Sequence, residues 1–169
     1  AVVSTTTPGA VYIAYIADYA TLGTDDDVRV GYYNGTTWST SSPNVISNSA
    51  TRAVTGVAIG LDAASNDVYV AYTARTTAGT ANTGNLYWKM STSTMSTWST
   101  EQGPVNTAAD DLYGPDINMV NDQRIHVSWF DGTDDDIYAD TIVDIFPGVH
   151  ASTSGTQVTS LLAGTTSAY

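Results

Sequence analysis

The sequence contains no cysteine, so no disulfide stabilises the fold, and its 169 residues are enough to form a hydrophobic core instead. Basic residues are scarce, since 5 lysines and arginines stand against 17 acidic residues, which gives a net charge of −12. A surface of this sign repels phosphate, and we therefore expect no nucleic-acid partner. No segment approaches the about 20 consecutive apolar residues of a transmembrane helix, so we also expect no membrane span.

Glutamate is nearly absent as well. Of the 17 acidic residues, 16 are aspartate and the single glutamate is Glu101. Aspartate favours turns, where its short side chain bonds to nearby backbone, whereas glutamate favours helices. No segment shows a helical period, and serine and threonine together make up about a quarter of the chain. The composition therefore predicts an all-β protein with a polar, acidic surface, which we expect to be extracellular or located on a cell or virion surface.

A pentapeptide occurs three times along the chain. Val-Tyr-Ile-Ala-Tyr at residues 11–15 returns as Val-Tyr-Val-Ala-Tyr at 68–72 and as Ile-His-Val-Ser-Trp at 125–129. The copies are about 57 residues apart, and self-similarity at a fixed period is the signature of a repeat architecture. In the first copy both alternating sets of side chains are apolar, which predicts a strand buried on both faces. The predicted single repeat domain, 1–169, has units at approximately 1–50, 51–108 and 109–169.

Other strand-like segments recur around the pentapeptide, at residues 28–33, 56–61, 86–90, 115–120 and 137–142. They are rich in β-branched and aromatic residues, and the stretches between them are rich in the turn-forming residues Gly, Asn, Asp and Ser. Each unit is thus predicted to be a four-stranded antiparallel sheet. Such sheets repeated radially describe a β-propeller. Because known propellers close with about four to eight blades, we expect a propeller-like fold whose ring this chain does not close alone.

The order of these segments resembles that of the sialidase-type, Asp-box β-propellers. In that family a Ser-x-Asp-x-Gly-x-Thr-Trp hairpin joins the third and fourth strands of a blade. Residues 35–38, Gly-Thr-Thr-Trp, match the end of this motif, whereas Tyr33 stands in the place of its aspartate. In the second unit Thr-Trp at 97–98 is kept, with Ser93 and Met95 in the places of the aspartate and the glycine. The resemblance implies propeller blades with a degenerate signature motif.

The same resemblance raises the alternative of a degenerate sialidase-like glycosidase. That family uses an arginine cluster, a tyrosine nucleophile with a glutamate partner, and an aspartate as acid and base. This chain has one glutamate, and its arginines lie in separate regions, at Arg29, Arg52, Arg75 and Arg124. Most of the 11 tyrosines occupy strand positions that packing explains. We therefore predict no catalytic residues and a protein that is not an enzyme.

Clustered aspartates are the strongest candidates for a binding site. They are Asp25, Asp26, Asp27, Asp131, Asp134, Asp135 and Asp136. Carboxylate oxygens close together on a loop suit Ca²⁺, so a calcium site is one hypothesis. The spacing does not match an EF-hand loop, which ends in glutamate. The alternative, which we favour, is that these residues cap hairpin turns and keep sheet edges from aggregating. Apart from calcium, no cofactor is predicted.

Aromatic residues and one sequon raise the alternative of a carbohydrate-binding, lectin-like propeller. Trp38, Trp88, Trp98 and Trp129 are candidates for stacking on sugar rings, although their places in the repeat favour packing between blades. Asn34 begins the sequence Asn-Gly-Thr, an acceptor for N-linked glycosylation in an extracellular protein.

Both ends of the chain resemble strands, at residues 1–5 and 156–162. Because three blades do not close a ring and exposed strand edges seek partners, we expect a longer parent chain, a ring completed by further copies, or an open array. The favoured hypothesis is a non-enzymatic extracellular structural module of a surface layer, filament, appendage or virion fibre. It would form a homo-oligomer or polymer through its blade edges.

Overall fold

The computed structural model describes most of the chain. The described residues are 1–18, 26–39, 44–47, 52–75, 84–91, 95, 97–103, 105, 111–120, 124–133, 135–145, 149–152 and 156–157. Their strands are β1 (Val2–Val3), β2 (Val11–Asp18), β3 (Asp26–Tyr33), β4 (Asn44–Ser47), β5 (Ala53–Leu61), β6 (Val68–Arg75), β7 (Gly84–Ser91), β8 (Leu112–Val120), β9 (Arg124–Asp131), β10 (Asp136–Ile145), β11 (Val149–Ser152) and β12 (Thr156–Gln157). These residues contain no helix, so the predicted all-β class is confirmed for them.

The strands form three antiparallel sheets, one for each repeat unit. The first sheet has the order β1-β2-β3-β4 and the second has the order β5-β6-β7. The third has the order β11-β10-β9-β8, and β12 also pairs with β10. The repeated pentapeptide lies in the second strand of each sheet, namely β2, β6 and β9. The period found in the sequence is therefore a period of sheets.

The predicted four strands per unit are not established in every sheet. Four strands pair in the first sheet, whereas the second sheet has three strands within the described residues. Beyond β7, the isolated bridges Trp88–Gln102 and Ser91–Trp98 continue the antiparallel pairing. The third sheet has five strands because β11 and β12 both pair with β10. Each sheet thus has three strands that are consecutive in sequence, and the sheets differ in what pairs with the third of these strands.

Regular pairing divides the side chains of each sheet into two faces. The second and third strands of every sheet pair without a register shift, β2 with β3, β6 with β7 and β9 with β10. Successive side chains of a strand point to opposite faces, so every second residue shares a face. Residues that are equivalent in the repeat therefore occupy the same face of their respective sheets.

Two hydrophobic cores join the three sheets. Between the first and second sheets, the buried residues include Tyr12, Val28 and Val30 on one side and Val68, Val70, Tyr72 and Ala74 on the other. Between the second and third sheets, they include Tyr69, Ala71, Leu86, Trp88 and Met90 on one side and Ile125, Val127 and Trp129 on the other. The second sheet contributes to both cores and is therefore covered on both faces. Each large apolar side chain buried in this way stabilises the fold by about 1.5–3 kcal/mol.

The turns before the first two copies of the pentapeptide share a backbone conformation. Gly9 and Asn66 each stand two places before their copy, and both have a positive φ, 79° and 63°. Glycine and asparagine are the residues that tolerate this left-handed region best. Ser4 donates a hydrogen bond to Asn66 Oδ1 (3.1 Å), and Asn66 Nδ2 donates to the hydroxyl of Tyr12 (3.2 Å). The turn of the second sheet is thereby tied to the first sheet.

The two predicted terminal strands are described to different extents. The predicted strand at 1–5 contains the short strand β1, and the one at 156–162 contains β12, while residues 158–162 lie outside the described residues. Among the residues that are described, there is no helical segment with the length and apolar character of a transmembrane span.

Candidate functional site

Three of the four arginines are held by separate carboxylates. The ion pairs are Arg29–Asp27 (2.7 Å), Arg52–Glu101 (2.9 Å) and Arg75–Asp111 (2.5 Å). The side chain of Arg124 lies outside the described part of the chain. Each of the three guanidinium groups is engaged with its own carboxylate, so these arginines do not converge on a common site for an anionic substrate.

Glu101, the single glutamate, binds two side chains of the second unit. Arg52 Nη1 donates to both carboxylate oxygens of Glu101 (2.9 Å each), and the hydroxyl of Tyr72 donates to Glu101 Oε2. The guanidinium of Arg52 also lies 4.5 Å from the ring centre of Tyr87. Tyr72 is a completely buried core residue, so its hydroxyl does not reach solvent. This tyrosine–glutamate pair is therefore a structural contact that fixes the segment around Glu101 to the second sheet.

A second polar cluster joins the second and third sheets. Arg75 Nη2 donates to Asp111 Oδ1 (2.5 Å) and to the hydroxyl of Tyr113 (2.6 Å), which in turn donates to Asp111 Oδ2 (2.7 Å). Burial alone would raise the pKa of Asp111, but the hydrogen bonds from Tyr113 and Arg75 and the charge of Arg75 lower it below its ordinary value. The carboxylate is thus stabilised in its ionised form by partners from both sheets.

The structure gives two of the predicted calcium ligands partners within the protein. Asp27 is buried and paired with Arg29, and Asp131 is buried and accepts a hydrogen bond from the backbone N–H of Thr133 (2.8 Å). The second of these contacts is an Asx turn of the kind that aspartate forms in hairpins.

The remaining candidate ligands do not form a described metal site. Asp135 has a positive φ of 58° in the turn, and Asp136 pairs with Asp131 at the start of β10. Asp25, Asp134 and the side chain of Asp26 lie outside the described residues. Within the described residues there is no group of three acidic or histidine side chains that could hold a metal ion. Asp131 and Asp135 thus lie at the hairpin turn and Asp27 lies in an ion pair within β3, while calcium binding stays a prediction.

The four tryptophans differ in their access to solvent. Trp88 and Trp129 are each 3% exposed in the core between the second and third sheets. Trp98 is partly buried against the core between the first two sheets, whereas Trp38 is 49% exposed. A sugar needs an accessible ring face, so among these residues Trp38 is the one that offers it. Its ring lies 5.3 Å from that of Tyr33.

Asn34 is exposed in the turn that connects β3 to Trp38. Its Oδ1 accepts hydrogen bonds from the backbone N–H of Thr36 (2.9 Å), from the hydroxyl of Thr36 (2.8 Å) and from the N–H of Thr37 (2.9 Å). Gly35, which lies between Asn34 and Thr36, has a positive φ of 97°. The sequon is therefore accessible and is folded as an Asx turn, while its glycosylation stays a prediction.

The first strands of the three sheets converge on an open cleft of about 340 Å³. It is lined by Val2, Val3, Thr5, Ile59, Gly60, Leu61, Ile117 and Asn118. These residues belong to β1, β5 and β8 or lie next to them, so the same edge of each sheet faces a common space. None of these described side chains is charged, so this part of the cleft lining offers no acid, base or ionic ligand.

The outer face of the first sheet, which we call the first face, carries aromatic and aliphatic side chains. It consists of Val3, Val11, Ile13, Tyr15, Tyr33 and Trp38, together with Arg29 and Gly31. The lack of a side chain at Gly31 leaves space for Ile13 and Trp38, because a Cβ on Gly31 would lie 3.3 Å from Ile13 and 3.7 Å from Trp38. Among the described strands, no sheet packs against this face.

The repeat shows how unusual the exposure of the first face is. Val11, Ile13 and Tyr15 are equivalent to Val68, Val70 and Tyr72 of the middle sheet. The three residues of the middle sheet are fully buried against the first sheet. Tyr15, by contrast, is 38% exposed. The prediction that the first copy of the pentapeptide is buried on both faces is therefore wrong for β2, because the described structure places no sheet outside it.

The outer face of the third sheet, which we call the last face, is open in the same way. It consists of His126, Ser128, Phe130, Ile137, Ala139 and Thr141. Phe130 and Ile137 pair across the strands and are 39% and 43% exposed. Their equivalents in the middle sheet, Thr73 and Leu86, are completely buried. Both ends of the stack of sheets thus expose apolar side chains.

Comparison with known proteins assigns no family to this fold, since no protein-family model matches the chain and no curated protein matches its sequence. The two open faces are the features that sequence reasoning missed. The sequence signal for these faces is the pentapeptide itself. Its apolar pattern is the same in the second sheet, which has two neighbouring sheets, and in the first sheet, which has one.

Proposed function

We propose that the chain is a non-enzymatic, extracellular structural module that works by assembling with copies of itself. The observation that carries the proposal is the exposure of Tyr15 and its neighbours on the first face, where the equivalent residues of the middle sheet are buried. An exposed apolar patch rimmed by polar residues marks an interaction surface. The absence of an arginine cluster among the described residues favours assembly over a sialidase-like reaction.

In this proposal the three sheets are blades of a propeller-like repeat, as in the sialidase-type architecture that the sequence resembles. Two features support it. Consecutive sheets pack face to face, and the first strand of each sheet lines a common cleft. Both features suit sheets arranged radially around an axis. The serine-, threonine- and aspartate-rich composition supports an extracellular location, on a surface layer, filament, appendage or virion fibre.

The experiment that tests assembly is sedimentation velocity of the purified chain over a wide range of concentration. We expect the mass to rise above the 17.8 kDa of one chain as concentration increases. High salt should strengthen the association, because it screens the repulsion between molecules that each carry a charge of −12. A mass that stays at that of one chain at the highest concentration and salt would contradict the proposal.

A second candidate function, carbohydrate binding, is favoured by the exposed ring of Trp38 beside Tyr33. Aromatic rings of this kind stack on the apolar face of sugars. A glycan array with wild type and Trp38→Ala, in the presence and absence of a chelator, tests this function and the calcium hypothesis together. Binding that Trp38→Ala removes supports it, and loss of binding on chelation supports calcium. An array without binding by the wild type contradicts it.

A further inference from the structure

The two internal interfaces of the chain are of one kind. Tyr12 of the first sheet packs in the same core as Val68, Val70 and Tyr72 of the second. At the next interface Tyr69, which is equivalent to Tyr12, packs in the same core as Ile125, Val127 and Trp129, which are equivalent to those three residues. Each interface thus joins the side of one pentapeptide copy that carries its second and fourth residues to the side of the next copy that carries its first, third and fifth residues.

The first face has the residues that such an interface requires on its receiving side. Val11, Ile13 and Tyr15 correspond to the receiving residues of the second and third sheets. Trp38 completes the match, because its counterpart Trp98 packs against the core between the first two sheets. Trp38 is 49% exposed and Tyr15 is 38% exposed, so no described sheet covers the receiving surface at these two residues.

The last face carries the donating side of the same interface, in a more polar form. His126, Ser128 and Thr141 stand where the middle sheet has Tyr69, Ala71 and Met90. His126 Nδ1 and Thr141 Oγ1 lie 2.9 Å apart, in hydrogen-bond contact. Phe130 and Ile137 form an apolar pair at the hairpin end of this face. A mixture of this kind is typical of interfaces between separate subunits, which are less apolar than a protein core.

We propose that the partner of the first face is the last face of a second copy of this chain. The inference rests on the proposed function and names its surfaces: copies associate head to tail through sheet faces, not through the strand edges that the sequence suggested. The contact is heterologous, so it closes a ring or continues as a filament, depending on the rotation between copies. Two copies in a ring would supply six sheets, within the range of about four to eight blades in known propellers.

Single lysine substitutions test the two faces separately. Tyr15→Lys places a charge on the first face and Phe130→Lys places one on the last face. Each should weaken self-association about tenfold or more, because a buried charge without a partner opposes docking. Both make the net charge of −12 less negative, so the loss cannot come from greater overall repulsion. Ile16→Lys is the matched control, since Ile16 is 39% exposed but lies on the opposite side of β2 from Tyr15.

Mixing the two variants gives the most specific result. Tyr15→Lys retains a functional last face and Phe130→Lys retains a functional first face. Neither should associate alone, whereas an equimolar mixture should form a one-to-one dimer and stop there. Circular dichroism and the thermal midpoint, measured on each variant, show whether it is folded and can be compared with wild type.

The other outcomes overturn the inference in distinguishable ways. Lysine variants that each self-associate as strongly as wild type contradict the face-to-face contact but leave assembly through edges in place. A dimer that persists in Phe130→Lys and is lost in Tyr15→Lys shows that two first faces pack on each other. Wild type that is monomeric at every concentration contradicts both this inference and the proposed function, and would fit a first face covered by another segment or another protein.

Discussion

Strands β2 and β6 have almost the same sequence and opposite environments. In β6 every residue from Val68 to Ala74 is buried, whereas in β2 Tyr15, on the first face, is 38% exposed. The strand sequence is the same apolar pattern in both, so the difference comes from what lies next to each sheet. The first sheet thus keeps the apolar residues of an interface on a face that no described sheet covers.

The largest expected effect compares the two equivalent tyrosines. Tyr72→Ala should reduce the free energy of unfolding by about 3–5 kcal/mol, because it leaves a cavity in a core and removes the hydrogen bond to Glu101. Tyr15→Ala should cost less than about 1 kcal/mol in the monomer, since the side chain is partly in water already. Urea unfolding of both variants at low protein concentration measures the difference. Equal losses would show that β2 is covered as β6 is.

A smaller effect separates the two equivalent turns. Asn66→Gly should cost about 1 kcal/mol, because it keeps the positive φ but removes the hydrogen bonds to Ser4 and Tyr12. Asn66→Ala should cost about 2 kcal/mol, because alanine also resists the left-handed conformation. Gly9→Ala, at the equivalent turn of the first unit, should lower the stability only through the strain of alanine in the left-handed conformation. If all three variants unfold at the same urea concentration, the turn does not tie the two sheets together.

The smallest expected effect concerns pH and the contact between the second and third sheets. Because the pKa of Asp111 is lowered in the folded state, its contribution is present above the ordinary pKa of 3.8 and is lost as pH falls below it. Asp111→Asn should therefore cost about 1 kcal/mol at pH 7, a modest value for a partly exposed ion pair.

Unfolding measured between pH 7 and pH 2.5 checks the sign of this effect. The difference between wild type and Asp111→Asn should shrink as the solution becomes acidic. Asp135→Asn is the control, because Asp135 is exposed in a turn whose positive φ asparagine tolerates. A difference that stays constant over this range would show that ionised Asp111 does not join the two sheets.

The sequence predicts the repeating part of this fold and little of its connections. The period of the pentapeptide located β2, β6 and β9, since a strand with apolar residues on both sides is specified by local sequence. The Asx turn at Asp131 also followed from local chemistry. Whether a face is covered depends on a neighbouring sheet, and the strand sequence carries no information on whether that neighbour is present.

The sequence was equally uninformative about contacts between residues that are far apart along the chain. Arg52 and Glu101 are 49 residues apart, and Arg75 and Asp111 are 36 apart. No spacing rule pairs them, because the first contact depends on the fold of the second unit and the second contact depends on the packing of two sheets. The same limit applies to the tryptophans, which the sequence grouped as one set and the structure divides into buried and exposed positions.

The mass of the chain in solution tests assembly through the first face most directly, measured by sedimentation velocity on wild type, Tyr15→Lys and Ile16→Lys side by side. We predict that wild type and Ile16→Lys rise together above 17.8 kDa with increasing concentration, while Tyr15→Lys remains at the mass of one chain. If wild type stays at that mass throughout, or if Tyr15→Lys associates as wild type does, the first face is not the surface through which this protein assembles.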